Sequence, residues 1–152
     1  MNNITRNEFP RPDLERKHWQ SLNGKWEFAF DHEDQMEGTG RFFEMPFAET
    51  IMVPFSYQSK ASGIGHEGDC DHVWYRRSFD TEPLQGRRLL LKFGAVDYRA
   101  KVWLNGCYLG SHDGGYTPFS FDITQYAKEV DNILVIKATD YADADKPRGK
   151  QT

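Results

Sequence analysis

Carboxylates are the side chains of this sequence whose grouping could do chemistry. Glu67, Asp69 and Asp71 lie close together, and so do Asp140, Asp143 and Asp145. Neighbouring carboxylates can split into a proton donor and a base when the surroundings push their pKa values apart. They can also hold a hard cation through their oxygens. Neither cluster carries the accompanying signs. Both sit in polar stretches that read as solvated loops. The spacing also fits no EF-hand, which needs a glycine and a terminal glutamate in register. Neither a catalytic pair nor a metal site is assigned to them.

The remaining candidates are sparser. His18, His32, His66, His72 and His112 are dispersed. His66 and His72 flank Cys70, but structural zinc takes four ligands at tight spacing, and a fourth is not evident. Gly63-Ile64-Gly65 is too little for a phosphate loop. No spacing supports a Ser/His/Asp arrangement. The two cysteines, Cys70 and Cys107, are too few for a disulfide framework, and two reduced thiols are expected.

Composition narrows the class. The 152 residues suit one domain, and aromatic residues make up 14%, enough large rings to fill an interior. With 19 basic and 23 acidic side chains the formal net charge is -4. No Lys/Arg stripe marks a nucleic-acid face, so no nucleic-acid partner is expected. No window approaches the roughly 20 apolar residues of a membrane span, so no membrane partner is expected either. Residues 1–11 carry charge and no apolar run, unlike a signal peptide. A cytoplasmic or periplasmic location is expected.

These side chains must be positioned by strands. In Lys25-Trp26-Glu27-Phe28-Ala29-Phe30 the rings alternate with smaller or charged residues, the period of a half-buried strand. Further strands are expected at 51–53, 73–79, 87–93, 98–104, 107–109, 117–123 and 133–138. Asn105-Gly106 is the strongest hairpin signal, because both central residues need positive φ. Asp122 is placed to cap a single turn over 124–126. The acidic stretch 31–40 and the glycine-bearing stretch 56–71 read as loops, and no long helix is visible. About eight short strands predict an all-β fold, an antiparallel β-sandwich of jelly-roll type. The expected organisation is an arm over 1–20, the sandwich over 21–140 and a tail over 141–152.

An ordered series of motifs then points to a family. LNGKWEF (22–28), VPFSYQS (53–59), VWYRRSF (73–79) and LKFGAVDYRAKVWLNG (91–106) come first. LGSHDGGYTPFSFDIT (109–124), ILVIKATD (133–140) and PRGKQ (147–151) follow. Together they resemble the N-terminal sugar-binding domain of family 2 glycoside hydrolases, a galactose-binding-like jelly roll. That family includes β-galactosidases, β-glucuronidases and β-mannosidases.

The resemblance implies a multidomain parent, with an immunoglobulin-like domain and a (β/α)8 barrel downstream. Retaining glycosidases need two carboxylates about 5–5.5 Å apart. The resemblance places both on the barrel, so no residue here is expected to be catalytic and the chain alone is expected to be inactive. A truncated chain or a fragmentary gene is the expected origin of this sequence. No cofactor is implied. The implied partners are a β-glycoside reached through the full-length enzyme, the downstream domains and, since such enzymes are often oligomeric, a second copy of the enzyme.

Loops of this domain are expected to help form the substrate-binding end. The segments to watch are 69–72 and 140–151, with Asp71, His72, Asp145, Arg148 and Lys150 as candidate substrate-binding residues. Asp71 and Asp145 would accept hydrogen bonds from sugar hydroxyls. Arg148 and Lys150 would orient those acids or face a neighbouring domain. The plainer reading of each is a solvated loop or a domain contact. Trp26, Trp74 and Trp103 sit in alternating strands and are expected to pack rather than to stack on sugar. Trp19 has no assigned place. The alternatives to an enzyme domain are a stand-alone carbohydrate-binding module and a protein-interaction domain.

Overall fold

A computed structural model describes residues 19–54, 57–65, 70–94, 96, 98–114 and 117–140. Both the arm 1–18 and the tail 141–152 lie outside the described residues. Eight strands are described: β1 (Gly24–Phe30), β2 (Glu49–Val53), β3 (His72–Phe79), β4 (Leu90–Phe93), β5 (Arg99–Leu104), β6 (Cys107–Asp113), β7 (Phe119–Asp122) and β8 (Asn132–Thr139).

They form two antiparallel sheets of unequal size. The larger has the order β2-β1-β3-β8-β5-β6, and β4 pairs with β7 in a two-stranded sheet. The all-β sandwich read from the sequence is therefore what the chain forms. The hairpin at Asn105-Gly106 is present, with φ of 52° and 83° joining β5 to β6.

Strand alternation builds the main core. Phe28, Val102 and Leu104 are fully buried on one face of the large sheet, in one cluster with Leu91 of β4 and Ile123 after β7. The sheets meet closely at Gly110 in β6. Its φ is +147°, and a Cβ there would stand 3.0 Å from Cε1 of Phe121. Glycine satisfies both the backbone geometry and the close approach.

The opposite face of the large sheet is covered as well. The connection from β1 to β2 holds a short helix, α1 (Met36–Thr39), and lays Phe42 on Trp74 and Trp103. Ring centroids are 4.8 Å apart for Phe42–Trp74, 4.6 Å for Phe42–Trp103 and 5.4 Å for Trp74–Trp103. Burying rings of this size contributes roughly 3 kcal/mol each. The three strand tryptophans are thus packed, as their alternation predicts, although on different faces. Trp26 joins the core between the sheets, and Trp74 and Trp103 lie beneath the β1–β2 connection. The stretch 31–40 departs from a plain loop because its side chains find partners on the sheet. The stretch 56–71 is also partly interior, since Tyr57, Ser62 and Cys70 are buried. Cys70 and Cys107 are both free thiols.

Candidate functional site

The order of the large sheet brings the ends of three strands side by side. Asp71 precedes β3, Asp140 follows β8 and Tyr98 precedes β5. Their backbones continue the ladder: Asp140 N–H donates to Asp71 O at 2.9 Å, and Tyr98 N–H donates to Thr139 O at 3.0 Å. Gly114 N–H donates to Tyr98 O at 2.9 Å and ties in the end of β6. Asp71 and Asp140 are half-buried, and the Tyr98 ring is exposed. Two hydrogen-bond acceptors and one aromatic ring therefore share this end of the sheet. Such a set can hold hydroxyl groups.

His72 lies one step inward, opposite Thr139, which itself faces Arg99 across β8 and β5. The imidazole is buried. Its Nδ1 is 3.2 Å from Thr139 Oγ1 and its Nε2 is 3.6 Å from Asp34 Oδ2. The ring is packed within the protein beside Asp71 and helps fix the start of β3. Asp145, Arg148 and Lys150 lie outside the described residues.

Asp34 connects this end to a charged cluster under the β1–β2 connection. Lys137, two residues before Thr139 on the same face of β8, is buried and donates to Asp34 Oδ1 at 2.6 Å and to Glu37 Oε1 at 2.9 Å. Lys101 reaches the same Glu37 at 2.9 Å. Burial alone would raise the Glu37 carboxyl, but the two ammonium groups outweigh it and hold the pKa below 4.5. Burial would likewise lower Lys137, and the carboxylates of Asp34 and Glu37 raise it instead. Asp31 is held down against burial by the N–H groups of Gln35 and Met36 and by the Trp74 indole. Arg76 grips Glu27 with two bonds of 2.8 and 2.9 Å, and donates to the carbonyls of Phe42 and Met45. Among the described residues, no group of three or more His, Cys, Asp or Glu could hold a metal ion.

Sequence reasoning missed Tyr98 and the pairing of Lys137 with Asp34 and Glu37. One signal was available. Lys137 interrupts the apolar run of β8 at a position where a strand buried on both faces must neutralise a charge.

Comparison with known proteins agrees with this architecture. Residues 19–146 match the model of the glycosyl hydrolases family 2, sugar binding domain. The chain belongs to this family.

Its relatives are large enzymes. It is 30% identical over 132 residues to a beta-galactosidase of Thermoanaerobacter pseudethanolicus, covering 84% of this chain and 16% of that protein. It is 33% identical over 122 residues to a beta-glucuronidase of Paenibacillus borealis, covering 78% of this chain and 20% of that protein. Among solved structures, the β-glucuronidase from Ruminococcus gnavus in complex with D-glucaro 1,5-lactone superposes with a TM-score of 0.72. That match has 29% identity and covers 84% of this chain and 23% of that one. The family 2 domain thus spans about a fifth of the relatives it matches.

Proposed function

We propose that this domain serves a family 2 β-glycosidase without itself performing catalysis, supporting the catalytic barrel and helping to form its substrate-binding end. The supporting observation is the convergence of Asp71 and Asp140 at one end of the large sheet, joined by the 2.9 Å bond from Asp140 N–H to Asp71 O. His72, Thr139 and Asp34 hold that end from within. Carboxylates on a rigid ladder can accept hydrogen bonds from sugar hydroxyls at little entropic cost. The likeness to β-galactosidases and β-glucuronidases supports a β-glycoside as the substrate class.

The test uses the full-length enzyme carrying this domain. Asp71→Asn and Asp140→Asn should each raise KM for an aryl β-glycoside by about tenfold, the effect of losing one charged hydrogen bond. The kcat should stay within about twofold, because neither residue takes part in bond breaking. Unchanged KM in both variants would overturn the assignment. So would turnover of the aryl glycoside by the 152-residue chain alone.

A further inference from the structure

The turn from β5 to β6, Asn105-Gly106, is a residue pair that is chemically labile in an unfolded chain. Asparagine is a thermolabile residue. A glycine after it puts no side chain in the way of the backbone nitrogen that must reach the asparagine Cγ, and leaves the backbone free to bring it there. We infer that Asn105 is a deamidation site controlled by the fold: it reacts only in chains whose β5–β6 turn has opened, and its acid products prevent this end of the sandwich from closing as before. The inference is independent of the Asp71 and Asp140 site.

The native turn holds the amide from several sides. Asn105 N–H donates to Ile133 O at 2.9 Å, and Asn105 Oδ1 accepts from Ile133 N–H at 2.8 Å. The side chain thus extends the β5–β8 ladder one step past the Leu104–Leu134 pair. Its Nδ2 donates to Tyr126 O at 2.8 Å and to Asn132 Oδ1 at 3.1 Å. Asn132 is wholly buried, and its Oδ1 also accepts from Lys128 N–H at 2.7 Å, so this partner is itself fixed. Ring closure swings Oδ1 and Nδ2 off all of these partners, so it must await an opening of the turn.

In the opened chain, hydroxide takes the Gly106 amide proton and the nitrogen attacks Asn105 Cγ. The new N–Cγ bond closes a five-membered succinimide. The Cγ–Nδ2 bond breaks, and Nδ2 takes a proton from water and leaves as ammonia. Water then opens the ring at one of its two carbonyls, giving aspartate or isoaspartate.

Neither product fits the native turn. In aspartate a carboxylate oxygen replaces Nδ2 and faces Tyr126 O and Asn132 Oδ1, which are both acceptors. Turning the Asn132 amide over does not relieve this, because its Nδ2 already donates to the carbonyls of Phe79 and Lys128. Isoaspartate adds a carbon to the main chain of a turn that joins the paired residues Leu104 and Cys107.

The native chain and the same chain in guanidinium chloride are aged side by side in mildly alkaline buffer, with ionic strength matched by sodium chloride. Peptide mapping by mass spectrometry reads the amide-to-acid conversion at Asn105 separately from that at the other Asn-Gly pair, Asn23-Gly24. Asn105 should convert at least about thirtyfold more slowly in the native chain, which corresponds to an opening of about 2 kcal/mol. Chains partly converted in denaturant are then returned to native buffer and given a brief pulse of protease in moderate urea, which digests unfolded molecules. The survivors should be depleted at least about fivefold in acid at position 105, the effect of losing one net hydrogen bond. The proposal is overturned if the native chain converts with less protection than this. It is also overturned if the survivors carry the acid in the same proportion as the whole sample.

Discussion

Lys137 Nζ stands 2.6 Å from Asp34 Oδ1, so the centre of the large sheet is fastened to the β1–β2 connection by an ion pair whose lysine is buried and whose aspartate is 43% exposed. The same ammonium is shared with Glu37 at 2.9 Å. Removing it strands two carboxylates that lie partly out of water. Lys137→Ala should therefore destabilise the domain by about 2 kcal/mol, below the 3–5 kcal/mol of a fully buried pair because both acids keep some solvent. Lys137→Met keeps the packing over Trp74 and should cost about half as much. Urea titration followed by tryptophan fluorescence reads both values.

The carboxylates make stability depend on pH in a stated direction. Glu27, Asp31 and Glu37 all titrate lower in the folded chain than their ordinary values of 4.5, 3.8 and 4.5. For Glu27 the first cause is the Arg76 bond. Their contribution is complete above that ordinary range and is lost as pH falls through the lower folded values. Lys137 is raised above 10.5, so its contribution is complete below that value and disappears as pH rises through the folded one. Denaturation midpoints should be flat between about pH 5.5 and 9.5 and fall on either side. In Glu37→Gln the acid-side decline should be shallower.

Gly110→Ala tests the contact between sheets. The new methyl would meet Phe121 at 3.0 Å on a backbone with φ of +147°. Overpacking and backbone strain together should cost about 2–3 kcal/mol. Gly86→Ala is the control for backbone strain alone, since φ there is +82° and no atom lies within 4 Å of the added carbon. It should cost about 1 kcal/mol.

Asn132→Ala should be among the most damaging single changes. The side chain is wholly buried. Its Nδ2 donates to the carbonyls of Phe79 and Lys128, and its Oδ1 accepts from Lys128 N–H and Asn105 Nδ2. Alanine leaves several buried polar groups unmatched, which should cost about 3–4 kcal/mol in thermal or urea unfolding.

What the sequence disclosed follows from the range of each interaction. Period-two alternation is local, so β1, β3, β5 and β8 are legible from a handful of adjacent residues. The Asn105-Gly106 turn is local too. The role of residues 31–40 is not. Asp34 and Glu37 look like solvated acids because their partner, Lys137, is about a hundred residues away. The division of the tryptophans between two faces depends on the β1–β2 connection folding over the sheet. For the same reason Asp71 can be singled out from its loop, but its neighbours Asp140 and Tyr98 come from the order β3-β8-β5. No pattern within a single segment encodes that order.

The central position of β8 has a consequence for biosynthesis. Of the described strands it is the last to be made, and it fills the gap between β3 and β5. The roughly 50 residues after β3 need on the order of 3–10 s to emerge from a ribosome. During that interval the β3 edge facing the gap remains unpaired, the kind of edge that recruits other chains. A nascent chain stalled before residue 132 should therefore engage chaperones, and one extended past residue 139 beyond the exit tunnel should let go of them.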